Sequence, residues 1–254
     1  MKIINATWEK RNLGCDAYEI QIERKDFDNF DAVCDEIEKQ DFSGAYVVIK
    51  MPVGNLDALH KLQDMGFYFM ETQLGLEKCF DADESLWELI ENAENVSYTS
   101  VPKTPKAWDQ IIEKITPYMF STDRVSLDPQ LGPEIACLRY KNWAKDLFAD
   151  TNSRMFEVNV EGIPVAFGIN VVMPEKRIDY GILGGVYKEF DDLGYGLFLI
   201  AGDKGLNALH SGEKCRTTIL IMKKQQRIKK LLHLKILLFI RKIFILLKTN
   251  MKIY

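Results

Sequence analysis

Apolar and polar positions change their period several times along this chain, and each change marks an element. Residues 18–23 (YEIQIE) alternate apolar with polar, as in a strand with one buried face. Phe27, Phe30, Val33 and Ile37 recur every three or four residues and predict a helix over 27–39. AYVVIKM (45–51) predicts a buried strand, ended by Pro52, which has no N–H to give to a ladder. Asn55 predicts the cap of a helix through Gln63, with Gly66 past its end, and 67–76 (FYFMETQLGL) reads as strand. Such alternation of strand and helix predicts an open α/β layer.

Residues 81–103 read as a boundary. Acidic and polar side chains dominate 81–97, a helix is predicted over 84–93, and an extended linker containing Pro102 follows. Trp108, Ile111, Ile112 and Ile115 then share one face of a helix over 106–116. Another helix, 133–149, opens after Gly132-Pro133, where proline suits the first turn. From there sheet takes over. SRMFEVNVEG, PVAFGINVVMP and RIDYGILGGVY predict three successive strands, joined by tight turns at EGIP (161–164) and PEKR (174–177). An apolar helix over 195–209 and a strand over 215–221 come next.

Charge adds an asymmetry that this pattern hides. The 254 residues carry a formal net charge of -4, but ten of the 33 lysines and arginines lie beyond Met222, and no acidic residue follows Glu213. The first 222 residues thus hold 23 basic against 37 acidic side chains, an unfavourable surface for a phosphate backbone, so nucleic acid is not expected as a partner. Five widely spaced cysteines without a C-x-x-C pair suit a reducing cytoplasm. His60, His210 and His233 lack metal-ligand spacing, so no metal is expected. MKIINATWEK has no apolar core, so no secretory signal is expected. In the basic tail the longest apolar runs, 236–240 and 243–247, are far below the roughly 18 residues of a membrane span.

The stretch most able to carry chemistry is GGVYKEFDDLGYGLFLIAG (184–202): a strand end, a polar loop, two glycines and a helix start. Gly194 and Gly196 permit positive φ and close backbone approach, and the first N–H groups of a helix have no partner within it. Together they would make a cradle for a pyrophosphate. The plainer reading is a glycine turn that lets helix and strand pack closely. A dinucleotide fingerprint fits worse, because Leu199 stands where its third glycine belongs, and no G-K-[ST] loop occurs.

Three hairpin-connected strands, then V-Y-K-E-F-D-D-L-G-Y-G, then a helix, resemble the acetyl-CoA-binding core of the GNAT acyltransferases. Their loop reads Q/R-x-x-G-x-G/A. Gly194, Tyr195 and Gly196 match it, while Asp191 stands where Gln or Arg is usual. TWEKRNLG (7–14), LDALHKLQDMGFYFMETQLGLEK (56–78) and DRVSLDPQLGPEIACLRYKNWAKDLF (123–148) resemble the dTDP-fucosamine acetyltransferase group within that family. L62-x-x-x-G66-F67 resembles an ending usual in a GNAT domain. The resemblance implies an α/β (α+β) fold: a GNAT-like mixed sheet flanked by helices, with a truncated GNAT-like N-terminal domain (1–95), an acetyl-CoA-binding core (104–221) and a basic apolar tail (222–254).

It also implies a function, the transfer of an acetyl group from acetyl-CoA to a primary amine, such as that of a nucleotide-linked amino sugar. Leu183, Gly185 and Val186 would lie along the pantetheine arm, and Leu193, Gly194, Tyr195 and Gly196 would hold the pyrophosphate. Candidate bases on the strands are Asp179, Glu157 and Tyr180, although strand carboxylates commonly form just the solvated face. The partners implied are the amine acceptor and, as one assembly, a homodimer; a membrane is not. After CRTTI the chain departs from the family ending, whose helix supplies a Tyr acid; the only later tyrosine here is Tyr254. A frameshift near codon 219 would produce that change, as would a basic segment docking on anionic lipid. Two other functions therefore stand beside acetyl transfer: an inactive acyl-CoA-binding module, and a membrane-surface protein held by its tail.

Overall fold

The computed structural model describes residues 1–79, 95–176, 178–196, 198–199, 214–220 and 241–249. The first part runs β1 (Lys2–Asn5), α1 (Lys10–Leu13), β2 (Ala17–Gln21), α2 (Phe30–Glu38), β3 (Tyr46–Pro52), α3 (Leu56–Asp64) and β4 (Tyr68–Cys79). The Asn55 side chain accepts a hydrogen bond from the Ala58 N–H at 3.0 Å, so the cap predicted for α3 is present. Helix α2 begins at Phe30 rather than at residue 27, because Arg24–Asn29 form a tighter 3-10 turn closed by reciprocal bonds between Glu23 and Asp26. Strands β2 and β3 are parallel and joined through α2. Ile20, Val33, Ile37, Ile49, Met51 and Leu62 form the core between them and the two helices.

The second part contains β5 (Val96–Val101), α4 (Pro105–Ile112), α5 (Arg124–Leu127), α6 (Gly132–Ala149), β6 (Ser153–Val160), β7 (Ile163–Met173), β8 (Ile178–Val186), β9 (Lys214–Leu220) and β10 (Arg241–Thr249). The expected linker is in part a strand. V-S-Y-T-S-V alternates, so Val96 and Tyr98 pack beside Phe156 while β5 pairs antiparallel with β6. The 161–164 hairpin turns through Glu161 (φ 53°) and Gly162 (φ 80°), the two left-handed residues of a two-residue loop. The helix predicted over 84–93 lies outside the described residues. That predicted over 195–209 starts at residue 196, and its course beyond 199 also lies outside them.

The ten strands among the described residues belong to one sheet, in the order β1-β2-β3-β10-β4-β9-β8-β7-β6-β5. The tail therefore contributes a strand. β10 lies antiparallel between β3 and β4, as suits a short isoleucine- and leucine-rich run with a backbone partner on each side. Over the second half, α4 and α6 cover one face, with Trp108, Ile112, Tyr140 and Ala144 packed with Met155, Phe167 and Ile169. On the opposite face, Phe156, Val158 and Ala166 meet Tyr195, Phe198 and Leu199 from the start of the last described helix.

Candidate active site

The sheet opens beside β8. Its parallel ladder with β9 runs from Ile178↔Lys214 to Gly181↔Thr217. Beyond that pair β8 continues to Val186 and β9 to Leu220 with no further pairing to each other among the described residues, while β9 keeps its ladder with β4. A bulge sits at the same point. Ile169 faces Leu183 but Asn170 faces Gly181, so Ile182 is the extra residue. The bulge bends β8 as it parts from β9, and one backbone edge of residues 182–186 faces the opening. Backbone N–H and C=O groups need partners, so such an edge can receive an extended ligand that carries amides of its own.

The loop leaving β8 returns to the same end of the strand. Tyr187 is buried and stacks on Phe167. Asp192 (φ 69°) and Gly194 (φ 83°) then take left-handed conformations. The Leu193 N–H already donates to the Phe190 carbonyl at 3.3 Å, and the Leu193 side chain is exposed. A Cβ placed on Gly196 would lie 3.8 Å from Val186 Cγ2, so loop and strand end adjoin. A Cβ on Gly185 would meet Met119 Sδ at 2.7 Å, and Leu183 is buried in the α4–α6 core. Of the seven positions inferred for a coenzyme, Val186, Gly194, Tyr195 and Gly196 gather at this end. Leu183 and Gly185 lie along the parted strand, and Leu193 has its amide engaged. The Asp191 carboxylate accepts its neighbour's N–H, that of Asp192, at 3.1 Å.

The three candidate bases are dispersed. Asp179 is buried and ion-paired with Arg154. Glu157 accepts from Lys114 Nζ at 2.9 Å and from the Tyr187 hydroxyl at 2.5 Å. Burial, together with that carboxylate, pushes the Tyr187 phenol far above its usual range. Of the three, Tyr180 lines the polar cavity.

That cavity, of about 350 Å³, lies against β8 just before the opening, where Tyr180 and Ile182 line it. Its other walls come from the N-terminal half (Trp8, Glu9, Lys50, Gln73) and from α5 and α6 (Arg124, Arg139, Trp143). Its charges are organised in pairs. Arg139 meets Glu9 at 2.8 Å, Lys50 meets Glu19 at 2.6 Å, and Arg11 pairs with Asp146 at the rim. Asp123 caps α5 by accepting from the Val125 N–H at 2.9 Å. Behind Gln73 sits Glu71, 3% exposed. Its Oε1 accepts from Gln73 Nε2 at 3.2 Å, while its Oε2 has no hydrogen-bond partner among the described residues. Burial pushes its carboxyl up to about 7, partly offset by the Arg124 guanidinium. Glu9, Glu71, Arg124 and Arg139 are not distinguished by the sequence pattern, since each reads as an ordinary polar position. Their signal is burial.

Known proteins can be set beside this geometry. No family model matches the chain, and no curated relative is found by sequence. Solved structures do match. A GCN5-related N-acetyltransferase from Sphaerobacter thermophilus superposes with a TM-score of 0.55 at 9% identity, over 99% of this chain and 76% of that one. A functionally unknown conserved protein from Staphylococcus epidermidis superposes with a TM-score of 0.54 at 12% identity, over 93% and 84%. The fold is that of the GCN5-related N-acetyltransferases. At such identities the likeness fixes the GNAT fold alone and selects no group within it.

Proposed function

We propose that this protein transfers an acyl group, in the first instance acetyl from acetyl-CoA, to a primary amine. The observation that carries the reading is the parting of β8 from β9 after Gly181↔Thr217, beside a cavity lined by Tyr180 and Ile182. The pantetheine arm contains two amides and would extend along residues 182–186 as a substitute for the missing strand pairing. The pyrophosphate would lie at the Gly194–Gly196 turn and the helix start. The thioester would then reach the bulge at Ile182, and the acceptor would enter from the polar cavity.

We further propose an amino sugar carried on a nucleotide as the acceptor. The sequence blocks 7–14, 56–78 and 123–148, which resemble the enzymes of that chemistry, include most residues of the cavity wall. The N-terminal half, taken as a domain of residues 1–95, would then serve the acceptor, and the 104–221 core the coenzyme. A cytoplasmic location is part of the proposal, supported by Cys15, Cys34 and Cys137, which form no disulfide. Among the described residues, no helix is long and apolar enough to cross a membrane. The exposed carboxylates of Asp191 and Asp192 beside the loop favour a second reading, a module that binds acyl-CoA weakly and without turnover.

A thermal melt with and without acetyl-CoA tests the reading. Binding to the folded state alone raises the melting temperature, by an amount corresponding to about 2.7 kcal/mol at a hundredfold excess over Kd. Gly194→Val, which forces a branched residue into φ 83°, should abolish that rise. A wild-type melt unmoved by saturating acetyl-CoA would overturn the proposal. Thiol release on adding an amine separates turnover from binding alone.

A further inference from the structure

Among the described residues, four cations line the polar cavity, and three of them are closely paired. Arg139 and Asn12 each take one oxygen of Glu9, at 2.8 and 3.0 Å. Lys50 meets Glu19 at 2.6 Å, and Arg11 meets Asp146. Arg124 is the fourth. It approaches Glu9 only at 3.8 Å, outside hydrogen-bond reach, because both Glu9 oxygens are already engaged. Its chain neighbour Asp123 turns an oxygen to the Val125 N–H instead. Asp123 and Glu71 lie in its field, but neither stands within ion-pair distance of it among the described residues. Arg124 is 8% exposed, its Nε is buried without a hydrogen-bond partner, and the part of the side chain left open lines the cavity. A guanidinium cannot shed its proton, so a buried one without acceptors bears the full cost of its lost hydration. A negatively charged oxygen in the cavity removes that cost best. Charge-assisted hydrogen bonds are about twice as strong as neutral ones, and the paired oxygens of a carboxylate or phosphate match the planar fork.

We propose, building on the acyl-transfer reading, that the acceptor is an amine that also carries an acidic group, a carboxylate or a phosphate, and that Arg124 binds this group and so selects the substrate. Arg124 comes from α5, and Tyr180 and Ile182 come from β8, yet all three line one cavity. An acceptor anchored by its acid on Arg124 can therefore turn its amine toward β8 and the opening beside it. In an acceptor linked to a nucleotide, the diphosphate would be the anchored group. The paired cations have a different part. Arg139 is held by Glu9 and lies 5.6 Å from the ring centres of both Tyr140 and Trp143, so it builds the wall. Because Glu9, Glu19 and Asp146 are each matched by a cation, they leave the charge of Arg124 available to the ligand.

Three amines built on the same sugar ring test this: glucosamine, which carries no acid, muramic acid, which carries a carboxylate, and glucosamine phosphorylated on its primary hydroxyl. Thiol release from acetyl-CoA is followed with each. In the wild type an acid-bearing amine should show a KM at least about tenfold below that of glucosamine, and which of the two does so tells carboxylate from phosphate. Arg124→Met should raise that KM by about tenfold to a hundredfold and erase the preference, a loss in KM rather than in kcat. With CoA in place of acetyl-CoA nothing turns over. The favoured amine should then raise the wild-type melting temperature further, and should leave that of Arg124→Met where CoA alone puts it. The inference is overturned if the wild type treats the three amines alike, a comparison that stands even where Arg124→Met does not fold. It is overturned equally if the folded variant keeps the wild-type preference. Should no amine release thiol, transfer to amines fails, and the melting comparison by itself upholds or overturns the anion site. A wild-type melt unmoved by acetyl-CoA sinks the acyl-CoA reading instead, so the failures are distinct.

Discussion

At the level of single residues, two positions show how context sets a side chain's cost. Gly168 on β7 faces Phe156 on β6, and a Cβ there would come within 2.3 Å of the phenyl ring. The glycine is the space into which the ring folds. Gly168→Ala should therefore lower stability by about 1–3 kcal/mol in urea unfolding, and Phe156→Leu in the same chain should recover part of that loss. Glu71 shows the electrostatic counterpart. Its carboxyl titrates near 7 when folded, against 4.5 for an ordinary glutamate, so the folded chain binds its proton more tightly than the unfolded chain. The stability linked to this proton is whole below about 4.5 and is lost as pH rises through 7, a loss of roughly 3 kcal/mol by pH 8. Glu71→Gln should remove that dependence, so unfolding curves of variant and wild type should diverge from pH 5 to pH 8, with the variant more stable at the upper end. The pattern E-T-Q gives no hint of this, because Glu71 is buried in the folded chain beside Asp123 and Arg124, which lie far away in the sequence.

At the level of elements, local pattern was a good guide where one segment buries one face. The helices near 55–63 and 133–149, and the strands of the 153–186 meander, lie within a few residues of where apolar spacing places them. It failed where a partner decides. β5 reads as linker because its polar face is conspicuous, yet pairing with β6 makes it a strand. The short helix α5 depends on Asp123 as its cap, in a stretch with little periodicity. β10 arises in the basic tail, where a run of five apolar residues suits a strand, a buried helix or a membrane surface equally well. Its position predicts a clear consequence. Removing residues 241–254 strips β3 and β4 of the strand between them and exposes two backbone edges. The shortened protein should show a lower urea midpoint than the full chain and should self-associate in size-exclusion chromatography. Equal midpoints and an unchanged elution volume would show that β10 contributes nothing to the sheet.

At the level of the whole molecule, the candidate site is a product of assembly. Trp8 and Glu9 precede α1, Gln73 sits on β4, Arg124 and Arg139 come from α5 and α6, and Tyr180 belongs to β8. One sheet brings them together, because β4 and β8 both flank β9. The opening beside β8 and the polar cavity thus adjoin, although their residues are spread over most of the chain. Repeating apolar spacing was enough to give the mixed α/β character, and residue identity alone the glycine-bearing loop after β8 and the acidic body, since none of these needs a distant contact. The parting of β8 from β9, the seating of β10 and the burial of the Glu71 carboxyl depend on contacts between distant segments. Burial and strand pairing are properties of such contacts, and they take effect only once the whole sheet has formed.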